Sequence, residues 1–312
     1  MPAELHHIKT INQYHKIRGL GKPVHPLVSI VDYSQVKVPE EDRFKNWIFD
    51  FYLVALKRNF DHEFKMKYGQ NQYDYDEGVM FFLAPGQLFG VQGDGKETSQ
   101  KSGWMLLVHP DFLYGTSLAK TIKNYDFFKY AIHEALFLSE REEQALNTII
   151  ANIEQEYQSV IDKHSQQIIV SLMDTLLAYS NRFYERQFIT RKPMNHRILE
   201  KFEEILDAYF RSENFIEHGM LSVTDIADQL NLTPNYLSSL LKHLTGQSTQ
   251  YYIHNRLIDA AKEKLSTTDL SVSQIAYQLG FDYPQSFSKL FRSKTNQSPL
   301  EFRKSLNIRS IR

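Results

Sequence analysis

A ten-residue pattern is repeated in this chain with seven of its ten residues identical. LSVTDIADQL at 221–230 reappears as LSVSQIAYQL at 270–279, an offset of 49 residues. After one added residue the likeness resumes at an offset of 50: Leu237, Leu240, Leu241, Lys242, Thr245, Gln247 and Ser248 match Phe287, Leu290, Phe291, Arg292, Thr295, Gln297 and Ser298. A likeness this long means that one supersecondary unit is built twice.

Each copy carries its own helix signals. Ser222 with Asp225, and Ser271 with Gln274, have the spacing of capping boxes that open a short helix. Ile226, Ala227 and Leu230 form the inner face of the first, and Ile275, Ala276 and Leu279 that of the second. Asn231 and Gly280 then supply residues that tolerate the left-handed backbone of a tight turn. A second helix opens at Thr233–Pro234, and its counterpart opens near Asp282 with Pro284 in its first turn. A short helix, a tight turn and a second helix make a helix-turn-helix, with units at about 221–243 and 270–293. The stretch Tyr251–Leu265 has an apolar face of Ile253, Leu257, Ala260, Ala261 and Leu265, and reads as a helical strut between them. Held this way, the two second helices suit successive major grooves, about 34 Å apart.

The outward positions favour DNA over a plain helical bundle. Asn235, Ser238, Ser239, Gln285, Ser288 and Lys289 are the candidates for reading base edges. Lys242, His243, Arg292, Lys294 and Arg303 are the candidates for the phosphate backbone. Charge follows the same division. The whole chain of 312 residues has 36 basic and 37 acidic side chains, net −1; residues 1–190 hold 20 and 24, net −4, and 191–312 hold 16 and 13, net +3. Within 231–312 the balance is 11 against 5, net +6, which suits a polyanion.

The remainder has two textures. Residues 24–110 alternate short apolar runs (Leu27–Tyr33, Trp47–Leu56, Phe60–Tyr68, Val79–Leu83, Trp104–His109) with glycine turns, the pattern of an antiparallel sandwich or barrel. Two helices follow. Ser139 with Glu142 opens the first, and the second runs from about His164 to Phe188 with an apolar face broad enough to cover the sheet and meet a second copy. Arg191–Lys192–Pro193 breaks the pattern, so residues 189–195 read as a linker between domains at 1–190 and 191–312. Residues 1–23 read as a polar arm with a Gly19–Leu20–Gly21 hinge. Cysteine is absent, which removes thiolate chemistry and sulfur-ligated zinc. With no apolar run near the roughly 20 residues of a membrane span, and no signal-peptide pattern, a soluble, cytoplasmic protein is expected.

The C-terminal part resembles the AraC/XylS family of bacterial transcription regulators. The likeness rests on Ile275–Ala276, Leu279–Gly280–Phe281, Ser286–Phe287, Phe291–Arg292, Ser298–Pro299 and Phe302–Arg303, supported by Ile226–Ala227, Thr245–Gly246, Arg256–Leu257 and Ala260, and covers about residues 195–305. It implies an all-α domain of seven helices with two helix-turn-helix motifs. The sequence departs at Asn296, where the family usually has glycine, and at Ser239, where many members have arginine. By layout, the first 190 residues resemble the family's regulatory half, a cupin-like β-barrel with a helical dimerisation segment in an α+β domain. The resemblance implies promoter DNA and RNA polymerase as partners, a homodimer, a small-molecule effector or protein partner, and activation of transcription.

A cupin-type enzyme that modifies small molecules, with an accessory helical domain, is the alternative. It needs histidines and an acid converging on a metal, and no His–x–His pair occurs. His6 and His7 are adjacent to each other and near the terminus, His62 and Glu63 as neighbours on a strand would point to opposite faces, and His25 and His109 stand alone. Asp74, Asp76 and Glu77 read as a solvated hairpin. No metal, cofactor or catalytic residue is assigned. Aromatic residues such as Trp47, Phe49, Phe51, Tyr52, Phe64, Tyr68, Phe81, Phe82, Phe89 and Trp104 either fill the core or line an effector pocket.

Overall fold

A computed structural model describes residues 5–37, 46–58, 78–90, 102–131, 134–159, 162, 164–190, 192–211 and 219–309. The chain divides into two compact units, Met1–Gln187 and Phe188–Arg312.

In the first unit the strands are β1 (Leu5–Ile8), β2 (Val28–Asp32), β3 (Asn46–Phe49), β4 (Tyr52–Arg58), β5 (Val79–Leu83), β6 (Leu88–Gly90), β7 (Ser102–Val108) and β8 (Leu136–Phe137). The helices are α1 (Ile11–Ile17), α2 (Leu118–Thr121), α3 (Glu140–Gln158) and α4 (Ser165–Thr190). A three-stranded sheet has the order β1-β3-β6, with β1 and β3 parallel. A five-stranded antiparallel sheet has the order β2-β7-β4-β5-β8.

The expected cupin-like barrel is not what this unit forms. Among the described residues neither sheet closes on itself; the larger one ends at β2 on one side and at the two-residue β8 on the other. Its two faces are covered instead. Leu53, Ala55, Phe81, Leu83, Met105 and Leu107 pack with Trp47, Phe49 and Phe51 of the small-sheet segment. On the opposite face Tyr52, Val54, Leu106 and Val108 meet Ile122 and Phe128 and also Met173, Leu176 and Leu177 of α4. Because strand side chains alternate, a sheet buried on both faces needs apolar residues at successive positions. All five residues of β5 are buried, and so are Trp104–Val108 of β7.

The polar arm is also folded structure. Thr10 and Gln13 form a reciprocal capping box that opens α1. Ile8, Ile11 and Tyr14 enter the core, and the buried His15 ring bonds the Gly21 carbonyl at 2.6 Å and Ser29 Oγ at 3.0 Å. The capping box at Ser139 and Glu142 starts α3, and the Glu142 carboxylate also holds Arg186 of α4 at 2.5 Å and 3.0 Å. Gln187 accepts from the Phe137 N–H at 2.8 Å and donates to the Ala135 carbonyl at 3.1 Å, so its amide satisfies the backbone of the short edge strand.

The second unit is all-α among its described residues: α5 (Lys192–Arg211), α6 (Val223–Gln229), α7 (Pro234–Thr245), α8 (Thr249–Thr267), α9 (Val272–Gln278), α10 (Pro284–Thr295) and α11 (Pro299–Arg309). The segment read as a linker is mostly helical, since α4 reaches Thr190 and α5 begins at Lys192. Proline is tolerated at Pro193 because the first-turn amides of a helix have no intrahelical acceptor.

Candidate nucleic-acid interface

The repeat is visible in the elements. Helices α6 and α9 are both seven residues long, 49 positions apart, and α7 and α10 are both twelve, 50 apart. Ser222 and Asp225 close one capping box, and Ser271 and Gln274 the other. After each short helix the chain turns through a left-handed residue, Asn231 at φ 53° and Gly280 at φ 80°. The Leu232 N–H then donates to the Ala227 carbonyl at 2.9 Å, and the Phe281 N–H to the Ala276 carbonyl at 3.0 Å. Thr233 caps α7 by accepting from the Tyr236 N–H at 3.2 Å, whereas Tyr283 makes no side-chain cap for α10. The extra residue of the second unit falls in this turn. Helix α7 ends on Gly246 at φ 75° and α10 on Asn296 at φ 59°, so asparagine takes the left-handed place that glycine holds in the first unit.

Two cores hold these turns. Phe202, Leu206, Ile226, Ala227, Leu237, Leu241 and Ile253 make the first. Leu257, Ala261, Leu265, Ile275, Ala276, Phe287 and Phe291 belong to the second. The strut α8 gives Ile253 to one and Leu257, Ala261 and Leu265 to the other, so it bridges both.

With Leu237 and Leu241, and Phe287 and Phe291, turned inward, the opposite stripe of each second helix is fixed. It carries Asn235, Ser238, Ser239 and Lys242 on α7, and Gln285, Ser288, Lys289 and Arg292 on α10, at i, i+3, i+4 and i+7. Lys242, His243, Gln285, Lys289, Arg292 and Lys294 are exposed; Asn235, Ser238, Ser239 and Ser288 are half-buried. Ser238 Oγ accepts from Thr249 Oγ1 at 3.4 Å, which ties it to the start of α8. The His243 ring lies 5.9 Å from that of Phe188, and Lys294 Nζ stands 4.5 Å above the Tyr251 ring. Burial and the charge of Lys294 hold the His254 imidazole below its ordinary pKa.

Arg303 is placed differently from the other basic candidates. Its guanidinium donates to three backbone carbonyls: Leu265 from Nε at 3.1 Å, Leu270 from Nη1 at 2.7 Å and Thr268 from Nη2 at 3.3 Å. Sequence spacing carries no signal for this fork, because the acceptors lie 33–38 residues away.

In the first unit these histidines bond singly, two of them to a backbone N–H two residues on. His25 Nδ1 accepts from the Leu27 N–H, His109 Nδ1 from the Asp111 N–H, and His7 pairs with Asp50. Among the described residues no group of three or more histidines, aspartates or glutamates could hold a metal; His62, Glu63, Asp74, Asp76 and Glu77 lie outside them. Trp47, Phe49, Phe51 and Phe81 are core residues with Phe89 packed against them. Phe82 meets Phe127, Phe128 and Tyr184, and Trp104 Nε1 donates to Asn147 at 2.8 Å. Phe64 and Tyr68 are outside the described residues. No helix among the described residues is long and apolar enough to cross a membrane.

A helix-turn-helix domain family matches residues 226–305. The arabinose operon regulatory protein of Escherichia coli is 28% identical over 141 residues, 45% of each chain. The transcriptional regulatory protein YesN of Bacillus subtilis is 42% identical over 79 residues, 25% of this chain and 22% of its own. The Msm operon regulatory protein of Streptococcus mutans is 31% identical over 118 residues, 36% of this chain and 42% of its own. The matched stretch thus spans less than half of each relative. A crystal structure of an AraC-type regulator from Chromobacterium violaceum is 26% identical over 36% of this chain and 93% of its own, at a TM-score of 0.31. Among the described residues neither sheet closes into the barrel that the enzyme alternative calls for. The paired turns, their shared spacing and the matched regulators agree on a C-terminal helix-turn-helix unit that is similar to those of AraC/XylS-type transcription regulators.

Proposed function

We propose that the chain is a sequence-specific DNA-binding regulator that reads promoter DNA with both helix-turn-helix units. The observation that carries this reading is the duplicated unit itself, with two twelve-residue helices presenting polar stripes at equivalent positions. Asn235, Ser238 and Ser239 on α7, and Gln285, Ser288 and Lys289 on α10, face base edges; Lys242, His243, Arg292 and Lys294 meet phosphates. The side chains differ between the units, so the two half-sites differ in sequence. That two relatives are named as operon regulators supports promoter DNA as the target.

The N-terminal unit senses a small molecule or protein partner and tunes promoter binding, and the output is activation through RNA polymerase. Its separate core and the family resemblance support this part. The chain pairs with a second copy through α4, where exposed Ile168 and Tyr179, eleven residues apart, flank half-buried Leu172 on one stripe.

Selection of duplexes from a randomised library by the full chain tests the reading. Enrichment of one bipartite sequence supports it. Binding that depends on salt alone, with no sequence enriched, rejects it.

A further inference from the structure

Arg303 is the one basic candidate whose guanidinium is spread over three backbone carbonyls. The acceptors are not scattered. Leu265 lies in the last turn of α8, where carbonyls have no intrahelical partner, and Thr268 and Leu270 lie in the link to Ser271, the cap of α9. One side chain on α11 therefore joins the end of the strut to the start of the second helix-turn-helix.

Three features hold it there. Ser298 and Glu301 bond reciprocally, with the Ser298 N–H donating at 2.7 Å and the Glu301 N–H at 3.3 Å, and this starts α11. Phe302 packs against the second core, 5.6 Å from the Phe291 ring. The planar fork of five N–H donors then fits several acceptors at once, which an ammonium does not. The two repeats differ at this place. Ser298 corresponds to Ser248 at an offset of 50, and the same offset sets Arg303 against Ile253, a buried residue of the first core. In the first unit this place lies within the strut itself and its apolar side chain enters the first core; in the second it lies on α11 and its guanidinium takes the backbone at the strut's far end.

We propose that Arg303 is a positioning residue that sets the second recognition helix relative to the first, and so the half-site spacing the protein accepts, rather than a phosphate ligand. This rests on the reading that both units bind DNA.

The test uses the full chain and a duplex enriched by the wild type from a randomised library. Failure to enrich any duplex would reject the DNA-binding reading itself, separately from the role of Arg303. Affinity is then compared on that duplex, on one with the second half-site scrambled, and on one with a base pair inserted between half-sites. For Arg303→Gln the expected results are a loss of about tenfold on the intact duplex, no loss on the scrambled one and a weakened preference for the original spacing over the inserted one. The slope of log affinity against log salt stays unchanged. An equal loss on all three duplexes, with a salt slope smaller by about 0.9, would mean a phosphate contact and overturn the proposal. Unchanged binding to the intact duplex would overturn it too. Should Arg303→Gln fail to fold, Arg303→Lys decides. A phosphate contact survives that change, whereas the spacing preference is lost if the fork is what matters.

Discussion

Asn231 and Gly280 lie 49 residues apart and share one backbone state, the left-handed turn that ends the first helix of each helix-turn-helix. Their surroundings differ. A β-carbon on Gly280 would lie 2.8 Å from the Met220 backbone nitrogen and 2.9 Å from the Gly219 carbonyl carbon. Gly280→Ala is therefore expected to cost about 2–3 kcal/mol, from left-handed strain plus a backbone that must shift. Asn231→Gly should be within about 0.5 kcal/mol of the wild type. Urea unfolding of both variants measures this, and similar costs for the two would contradict the contact.

The capping boxes predict a paired result. Ser222→Ala and Ser271→Ala each remove one acceptor from a first-turn N–H, so each should lower stability by about 1 kcal/mol. Removal of a Phe287 side chain, fully buried in the second core, should cost about 3–5 kcal/mol when replaced by alanine.

Base reading and phosphate binding separate by salt and by sequence. Lys289→Ala should weaken the enriched duplex by about 1–3 kcal/mol and leave random DNA little changed. Lys242→Ala and Arg292→Ala should weaken all sequences alike and lower the salt slope by about 0.9 each. Titration of labelled duplexes over a range of salt distinguishes the two, and a uniform loss for Lys289→Ala would reject its base-reading role.

Tyr14 makes the N-terminal core sensitive to alkali. Burial pushes its phenol up to about 12, with Arg18 opposing the rise. The folded state thus binds the proton more tightly than the unfolded chain. Its contribution is fully present below pH 10 and is lost as pH rises from about 10 to 12, on the order of 2–3 kcal/mol in all. Tyr14→Phe should remove this part of the pH dependence; unfolding at pH 9 and pH 11 compares the two proteins.

Local features were legible in the sequence, and long-range ones were not. The boxes at Ser139, Ser222 and Ser271, the cap at Thr233 and the left-handed Asn296 each depend on a few adjacent residues. The apolar periods of α3, α4 and α8 are local too. Strand pairing is not: β1 joins β3 through Leu5 and Asn46, and nothing near either residue specifies the partner. The short apolar runs with glycine turns gave an antiparallel sheet, but such runs do not tell a closed barrel from an open sheet covered on both faces, as β5 and β7 are. Thr10 and Gln13 carried a capping signal inside a stretch whose polarity suggested an arm. Arg303 looked like its basic neighbours because its acceptors are backbone atoms, which have no sequence signature.

Hydroxyl-radical footprinting of the full chain on its enriched duplex separates bipartite recognition from contact by one unit alone. Two recognition helices in successive major grooves predict two protected patches on one face, centred about 10 base pairs apart. Lys289→Ala should weaken one and Asn235→Ala the other. A single protected patch, or one that responds to both substitutions alike, would contradict bipartite recognition.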